Sequence, residues 1–212
     1  MKLTLAIITA GLAASAGANA ALVVGNSLTG PFSSSTNSGT KAAAFTTGAS
    51  SILVTGVSVA LGGGAFGQSN SQITFTINSN NPNGNSFGIP GASLTTANTF
   101  SLAQTDPIAV YSFSPVALIL SSNTIYWLVG AIDQQFGTWA TTNPAVFPSN
   151  GLATFNAYKF DFNGMGNYNP GSSVYNAFQI NGTASATATP EPASLAFIAG
   201  GCTVLFLIRR RA

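Results

Sequence analysis

Apolar and polar residues alternate along much of this chain with a period of two. Ile73, Phe75 and Ile77 are separated by Thr74 and Thr76, and Val57, Val59 and Leu61 by Ser58 and Ala60. Phe178 and Ile180 repeat the pattern later. Successive side chains of a strand point to opposite faces, so this spacing predicts half-buried β-strands. Runs rich in β-branched and aromatic residues predict further strands at Ala42 to Thr47, Ile108 to Phe113, Thr124 to Asp133, Gly137 to Thr141 and Tyr158 to Phe162. Between them lie turn-forming clusters: Gly62-Gly63-Gly64, Asn80 to Asn85, Asn143-Pro144, Pro148 to Gly151 and Asn163 to Gly171. The middle of the chain holds no sustained helical period and no clear internal repeat. About nine short strands with turns at this spacing predict an all-β fold, a two-layer antiparallel β-sandwich of jelly-roll form.

Both ends break this pattern. Met1-Lys2 precedes an apolar stretch from Leu3 to Leu12, and Ala18-Asn19-Ala20 supplies a small-x-small cleavage pattern. These features predict a signal peptide over residues 1–20, cut so that Ala21 becomes the first residue. A Sec-type export machinery and a signal peptidase are then expected partners. At the other end, an apolar run of 14 residues from Leu195 to Ile208 is followed by Arg209-Arg210-Arg211. As a helix the run is ~21 Å long, against a bilayer core of about 30 Å. To span, it needs a thinned bilayer or snorkelling arginines, which suits a temporary anchor. The three arginines favour the cytoplasmic side, so the body is expected outside. Ahead of the run, residues 183–189 alternate Ala with Ser or Thr and read as a flexible spacer. Pro190 and Pro192 hold the backbone extended around Glu191, the sole acid of the tail, a shape suited to a protease cleft. The plainer alternative is a tail anchor whose prolines merely end the domain. The expected division is signal peptide 1–20, ectodomain 21–182, spacer 183–189 and sorting tail 190–212, with its hydrophobic helix at 195–208.

Thr189-Pro190-Glu191-Pro192-Ala193-Ser194, the apolar helix and the terminal arginine cluster together resemble the PEP-CTERM sorting signal of proteins exported by Gram-negative bacteria. The resemblance implies sorting to the cell envelope and processing by an exosortase, often in bacteria that make exopolysaccharide. It implies no activity for the body. Thr46-Thr47, the segment Ile52 to Leu61 and the segment Leu120 to Val129, with its Asn123-Thr124-Ile125-Tyr126-Trp127 centre, resemble the choice-of-anchor β-sandwich domains. That second resemblance implies the sandwich and carries no site residues.

Composition narrows the chemistry. Between the two end segments lie roughly 168 residues, enough for one domain with a real core. Their only charged side chains are Lys41, Lys159, Asp106, Asp133 and Asp161, so the chain's net charge of +2 arises from its ends. Nucleic-acid binding needs a basic face, and this body offers none. The single cysteine, Cys202, lies in the apolar tail, so the exported body has no disulfide and must be held by packing. Histidine is absent, which removes the commonest general base and metal ligand. Asp106 precedes Pro107 and Asp133 ends a predicted strand, which leaves little for the paired carboxylates of glycoside hydrolysis. No enzyme activity and no cofactor are expected. Asp161 and Asn163 alternate ahead of Gly164 as calcium loops do, but without a second carboxylate or a closing Glu, so a capped glycine turn is favoured. Trp139, Tyr168 and Tyr175, with Asn167, Asn169 and Asn176 nearby, are candidate glycan contacts, set against plain burial of the rings. Trp127, in mid-strand, is assigned to the core. The expected function is that of an exported envelope or matrix protein with a non-catalytic structural role. The alternative is a glycan-binding module acting on exopolysaccharide.

Overall fold

Period-two patterning becomes sixteen strands, with no helix among the described residues. The computed structural model describes residues 19–34, 39–63, 71–83, 86–132, 137–161, 165–170 and 175–185. In the first half the strands are β1 (Ala21–Gly25), β2 (Phe32–Ser33), β3 (Gly39–Thr47), β4 (Ile52–Gly62), β5 (Ser71–Asn81), β6 (Ile89–Ser93), β7 (Asn98–Leu102) and β8 (Ala109–Phe113). They are followed by β9 (Ile119–Leu120), β10 (Ile125–Ile132), β11 (Thr138–Trp139), β12 (Thr141–Thr142), β13 (Ser149–Asn150), β14 (Ala153–Asp161), β15 (Asn169–Pro170) and β16 (Phe178–Ala184). The signal peptide and the C-terminal hydrophobic helix expected from the sequence lie outside the described residues, apart from Asn19 and Ala20.

Pairing is antiparallel throughout and builds two seven-stranded sheets. The first runs β11-β4-β16-β1-β13, with β8 and β9 along the opposite side of β4. The second runs β15-β14-β3-β10-β5-β6, with β7 also on β5. A small two-stranded sheet joins β2 to β12. The two large sheets share one apolar cluster. Val57, Val59, Phe178, Ile180 and Trp139 come to it from the first, and Phe45, Ile73, Phe75, Ile77, Leu128 and Phe155 from the second. The arrangement is therefore all-β and sandwich-like. Alternation follows from this core: Ile73, Phe75 and Ile77 are buried while Gln72 is exposed and Thr74 and Thr76 are half-buried.

The central strands of the second sheet do not alternate. Ala42, Ala43 and Ala44 on β3, and Tyr126 to Val129 on β10, are buried on both faces. The inward set belongs to the inter-sheet core. The outward set, Ala42, Ala44, Trp127 and Val129, forms a second small cluster that Ala157 and Tyr168 cover. At Gly130 the second sheet makes room for a ring from the first. A Cβ there would sit 2.9 Å from the Trp139 indole and 2.7 Å from Phe75, too close for any larger residue.

Three differences from the sequence reading have local causes. β14 begins five residues before Tyr158, because a bulge between Phe155 and Ala157 breaks its period. The predicted strand at Gly137 to Thr141 is two short strands, β11 and β12, in different sheets. β16 extends through Ala184, so the first two residues of the expected spacer are strand.

Ala21 pairs with Gly182, Ala184 pairs with Ile52, and the Ser185 N–H donates to the Ser51 carbonyl at 2.7 Å. The first residue of β1 and the last of β16 therefore emerge from the same end of the domain.

Candidate functional site

The rings predicted as glycan contacts are distributed over three separate places. Trp139 is fully buried between the sheets, edge-on to Phe75 at 4.9 Å and to Phe178 at 6.4 Å. Its indole N–H donates to the Ala177 carbonyl at 3.0 Å. No face of this ring is open to a sugar, which corrects the expectation for Trp139. A strongly apolar partner set and the missing Cβ at Gly130 put it there.

Tyr168 lies half-buried on the outer face of the second sheet, against the cluster around Trp127. Burial, with a smaller contribution from the Asp161 charge, pushes its hydroxyl up to about 12. Trp127 is fully buried, as expected, but on this outer face and not between the sheets. Its indole N–H donates to Asn80 Oδ1 at 2.8 Å. The Lys159 amine stands 5.7 Å from the centre of its ring and donates to the Gly88 carbonyl at 2.5 Å. The buried amine thus sits between an aromatic face and a backbone carbonyl, and burial lowers the Lys159 pKa.

Tyr175 is half-buried at a different corner, packed edge-on to Phe147 at 5.1 Å and Phe155 at 6.0 Å. Phe147 is 54% exposed, so this corner presents an aromatic surface to solvent. Below it runs a buried polar network. Asn26 donates to the carbonyls of Val146 and Asn176 and accepts from the Phe178 N–H. Asn176 donates to the Trp139 carbonyl and bonds the Tyr158 hydroxyl. Burial raises the Tyr158 pKa, so it stays a neutral donor. These bonds hold the segment carrying Phe147 onto the ends of β1 and β16. Sequence reasoning missed Phe147, although an apolar Val146-Phe147 pair between Pro144 and Pro148 is a visible signal. It had no means to find the network, whose members are far apart in the chain.

Asp161 is buried at the end of β14 and accepts from the Gly166 N–H at 2.7 Å, as a turn-capping carboxylate does, while Asn163 lies outside the described residues. Asp106 likewise caps a turn, accepting from the Ala103 N–H at 2.7 Å. Among the described residues no group of three His, Cys, Asp or Glu could hold a metal ion. Ala20 is exposed and Ala21 opens β1, whereas Ala18, Pro190 to Pro192 and Arg209 to Arg211 lie outside the described residues. Among those residues no helix is long and apolar enough to cross a membrane.

One open cleft of about 620 Å³ lies between the end of β5 and the turn joining β9 to β10. Leu94 and Ile119 form its apolar walls, and Ser79, Asn80, Asn123 and Thr124 supply uncharged polar groups. Several are already engaged: Ser79 Oγ donates to the Ala92 carbonyl, and Thr124 Oγ1 to that of Ser122. No protein-family model matches the chain, and no curated protein matches it either.

Proposed function

We propose that this is an exported cell-envelope or extracellular-matrix protein of a Gram-negative bacterium, sorted and processed through its C-terminal Pro190-Glu191-Pro192 segment, with a non-catalytic structural role. The Sec-type machinery and signal peptidase release Ala21, the residues 195–208 halt in the inner membrane, and Arg209 to Arg211 stay on the cytoplasmic side. An exosortase then frees the domain to the cell surface or its polysaccharide matrix. One observation carries the reading: Ala21 pairs with Gly182, so both address segments leave the same end of one folded body. A body tethered at both ends during export can thus fold without threading either segment past itself. Within the domain we propose a jelly roll. Its support is the strand order, β1-β16-β4 with β8 and β9 in one sheet and β3-β10-β5 with β6 and β7 in the other, the neighbour relations of two Greek keys.

The test is the intact mass of the protein recovered from its native cells. A start at Ala21 and an end near residue 190 is expected, and Glu191→Ala should leave the body folded while blocking the C-terminal cut. Recovery with Arg209 to Arg211 still attached would reduce the tail to a simple anchor.

A second reading, a module that binds exopolysaccharide, draws on the exposed Phe147 ring beside Tyr175. Aromatic faces stack on sugars and neighbouring amides serve their hydroxyls. Retention on cell-derived polysaccharide should then be lost on changing Phe147 and Tyr175 together to Ala; unaltered retention would reject that corner.

A further inference from the structure

We infer that the end of the domain from which the tail departs is a membrane-apposed surface, pressing Val116, Ile119, Leu53 and Leu94 against the phospholipid interface while the chain is anchored. The inference rests on the anchored reading above and adds which face meets the lipid.

Four of the nine exposed large apolar side chains among the described residues gather here: Val116 at 91% exposed, Ile119 at 64%, Leu94 at 44% and Leu53 at 38%. Leu53 and Ile119 are cross-strand partners, with both side chains on the outer face of the first sheet. Leu94 faces Ile119 across the cleft, and Val116 lies in the loop leading into β9. Single exposed apolar side chains are ordinary, but several gathered at one end of a domain mark a contact surface.

The position of the chain's exit says what covers them. Ala184 pairs with Ile52, and Ile52 pairs on its other side with Leu120. The departing chain is therefore two strand spacings, roughly 10 Å, from β9. From Ser185 to the start of the apolar run at Leu195 there are ten residues, which reach at most about 36 Å when fully extended. A tether that short keeps this end beside the bilayer at an effective concentration in the millimolar range, so a modest apolar patch suffices to hold it there.

Charge agrees. The segments 48–55, 91–95, 115–125 and 182–185 contain no charged residue. Nothing ionic has to be dehydrated when this face meets the headgroups, and its Ser, Thr and Asn side chains can serve lipid phosphate and ester oxygens. A contact of this kind is insensitive to salt.

The experiment uses the full chain in phospholipid nanodiscs, with Cys202→Ser and one environment-sensitive fluorophore. The fluorophore is attached through Val116→Cys or, as a control, through Thr105→Cys, an exposed site by the turn at the far end of β4. The Val116 label should be blue-shifted and quenched several-fold more strongly by lipids brominated in their chains than the Thr105 label. Ile119→Ser with Leu94→Ser should abolish that difference while the protein stays in the disc. Both labels in water on a disc-bound chain would overturn this inference alone. A chain that never enters the discs would overturn the anchored reading and this one with it. A blue shift without bromolipid quenching would mean burial against protein, a second copy or the chain's own tail, and would also overturn it.

Discussion

Each face of the second sheet covers one tryptophan and one lysine, and the two faces do so by different means. On the inner face, Trp139 reaches across from the opposing sheet and meets Phe75, Phe178 and the open floor at Gly130. Lys41 lies on the same register face as Ala43 and Phe45. On the outer face no second sheet is available. Trp127 is covered instead by Tyr168, from the segment after β14, and by Lys159, whose amine is held by the Gly88 carbonyl, over a floor of alanines. The inner face is closed by sheet-on-sheet packing, which every neighbouring strand enforces. The outer face is closed by loops, which can open locally without unfolding the sheets. Equal burial therefore need not mean equal stability.

The largest effect expected from this contrast is at the tryptophans. Trp139→Ala empties a site walled by two sheets that cannot collapse onto it, and should lower the unfolding free energy by about 3–5 kcal/mol. Trp127→Ala should cost clearly less, because the covering loop can relax into the space. Urea unfolding of both variants checks this, and equal losses would mean that the outer face is a core as rigid as the inner one.

How far these two faces can be read from sequence differs in the same way. Ile73, Phe75, Ile77, Phe178 and Ile180 announce the inner face by alternation, and all five are buried there. Trp127 also reads correctly as buried, but its side of the sheet is hidden, because β10 is apolar at almost every position from Tyr126 to Val129. A strand covered on both faces loses the period that would orient it. Trp139 misleads for a related reason. Its strand has only two residues, too few for a pattern, and the residue that admits it, Gly130, lies on a strand of the opposing sheet, a relation that nine residues of sequence separation do not reveal. The first half of β14 is obscured by its bulge, and β1, five residues that directly follow the expected cleavage site, is too short and too uniformly apolar to show a period of two. The aromatic corner at Phe147 and Tyr175 depends on Asn26 and Asn176, which lie 150 residues apart. No local pattern encodes such a pair.

The lysines sharpen the comparison through pH. Burial pulls the Lys41 amine down from 10.5 to about 8 in the folded protein. Between pH 8 and 10.5 the unfolded chain keeps the proton that the folded chain has released, so it binds more protons and stability rises with pH. Below that window both states are protonated and this residue contributes no slope. At 1.36 kcal/mol per pKa unit the rise is at most about 3 kcal/mol, and above pH 10 Tyr168, held up at about 12, works against it. Lys159 is lowered by the same cause. Denaturant titrations from pH 7 to 10 should show the rise in the native protein and lose most of it in Lys41→Met. If Lys159→Met removed it instead, the outer face would be the more strongly desolvating of the two.

The smallest expected effect tests how the outer face is held. Asn80 Oδ1 is the acceptor for the buried Trp127 N–H, whereas on the inner face that service comes from a backbone carbonyl, that of Ala177. A backbone acceptor cannot be removed by substitution, but a side-chain acceptor can. Asn80→Ala should leave the indole N–H without a partner and lower stability by about 1–2 kcal/mol, while Asn80→Asp, which keeps an oxygen in place, should lose less. Indole hydrogen exchange gives the second readout. In Asn80→Ala the Trp127 N–H should exchange faster than in the native protein while the Trp139 N–H is unchanged, because the defect opens the loop and not the sheets. Acceleration at both indoles would mean that the two faces open together, and the distinction between a sheet-closed and a loop-closed face would have to be given up.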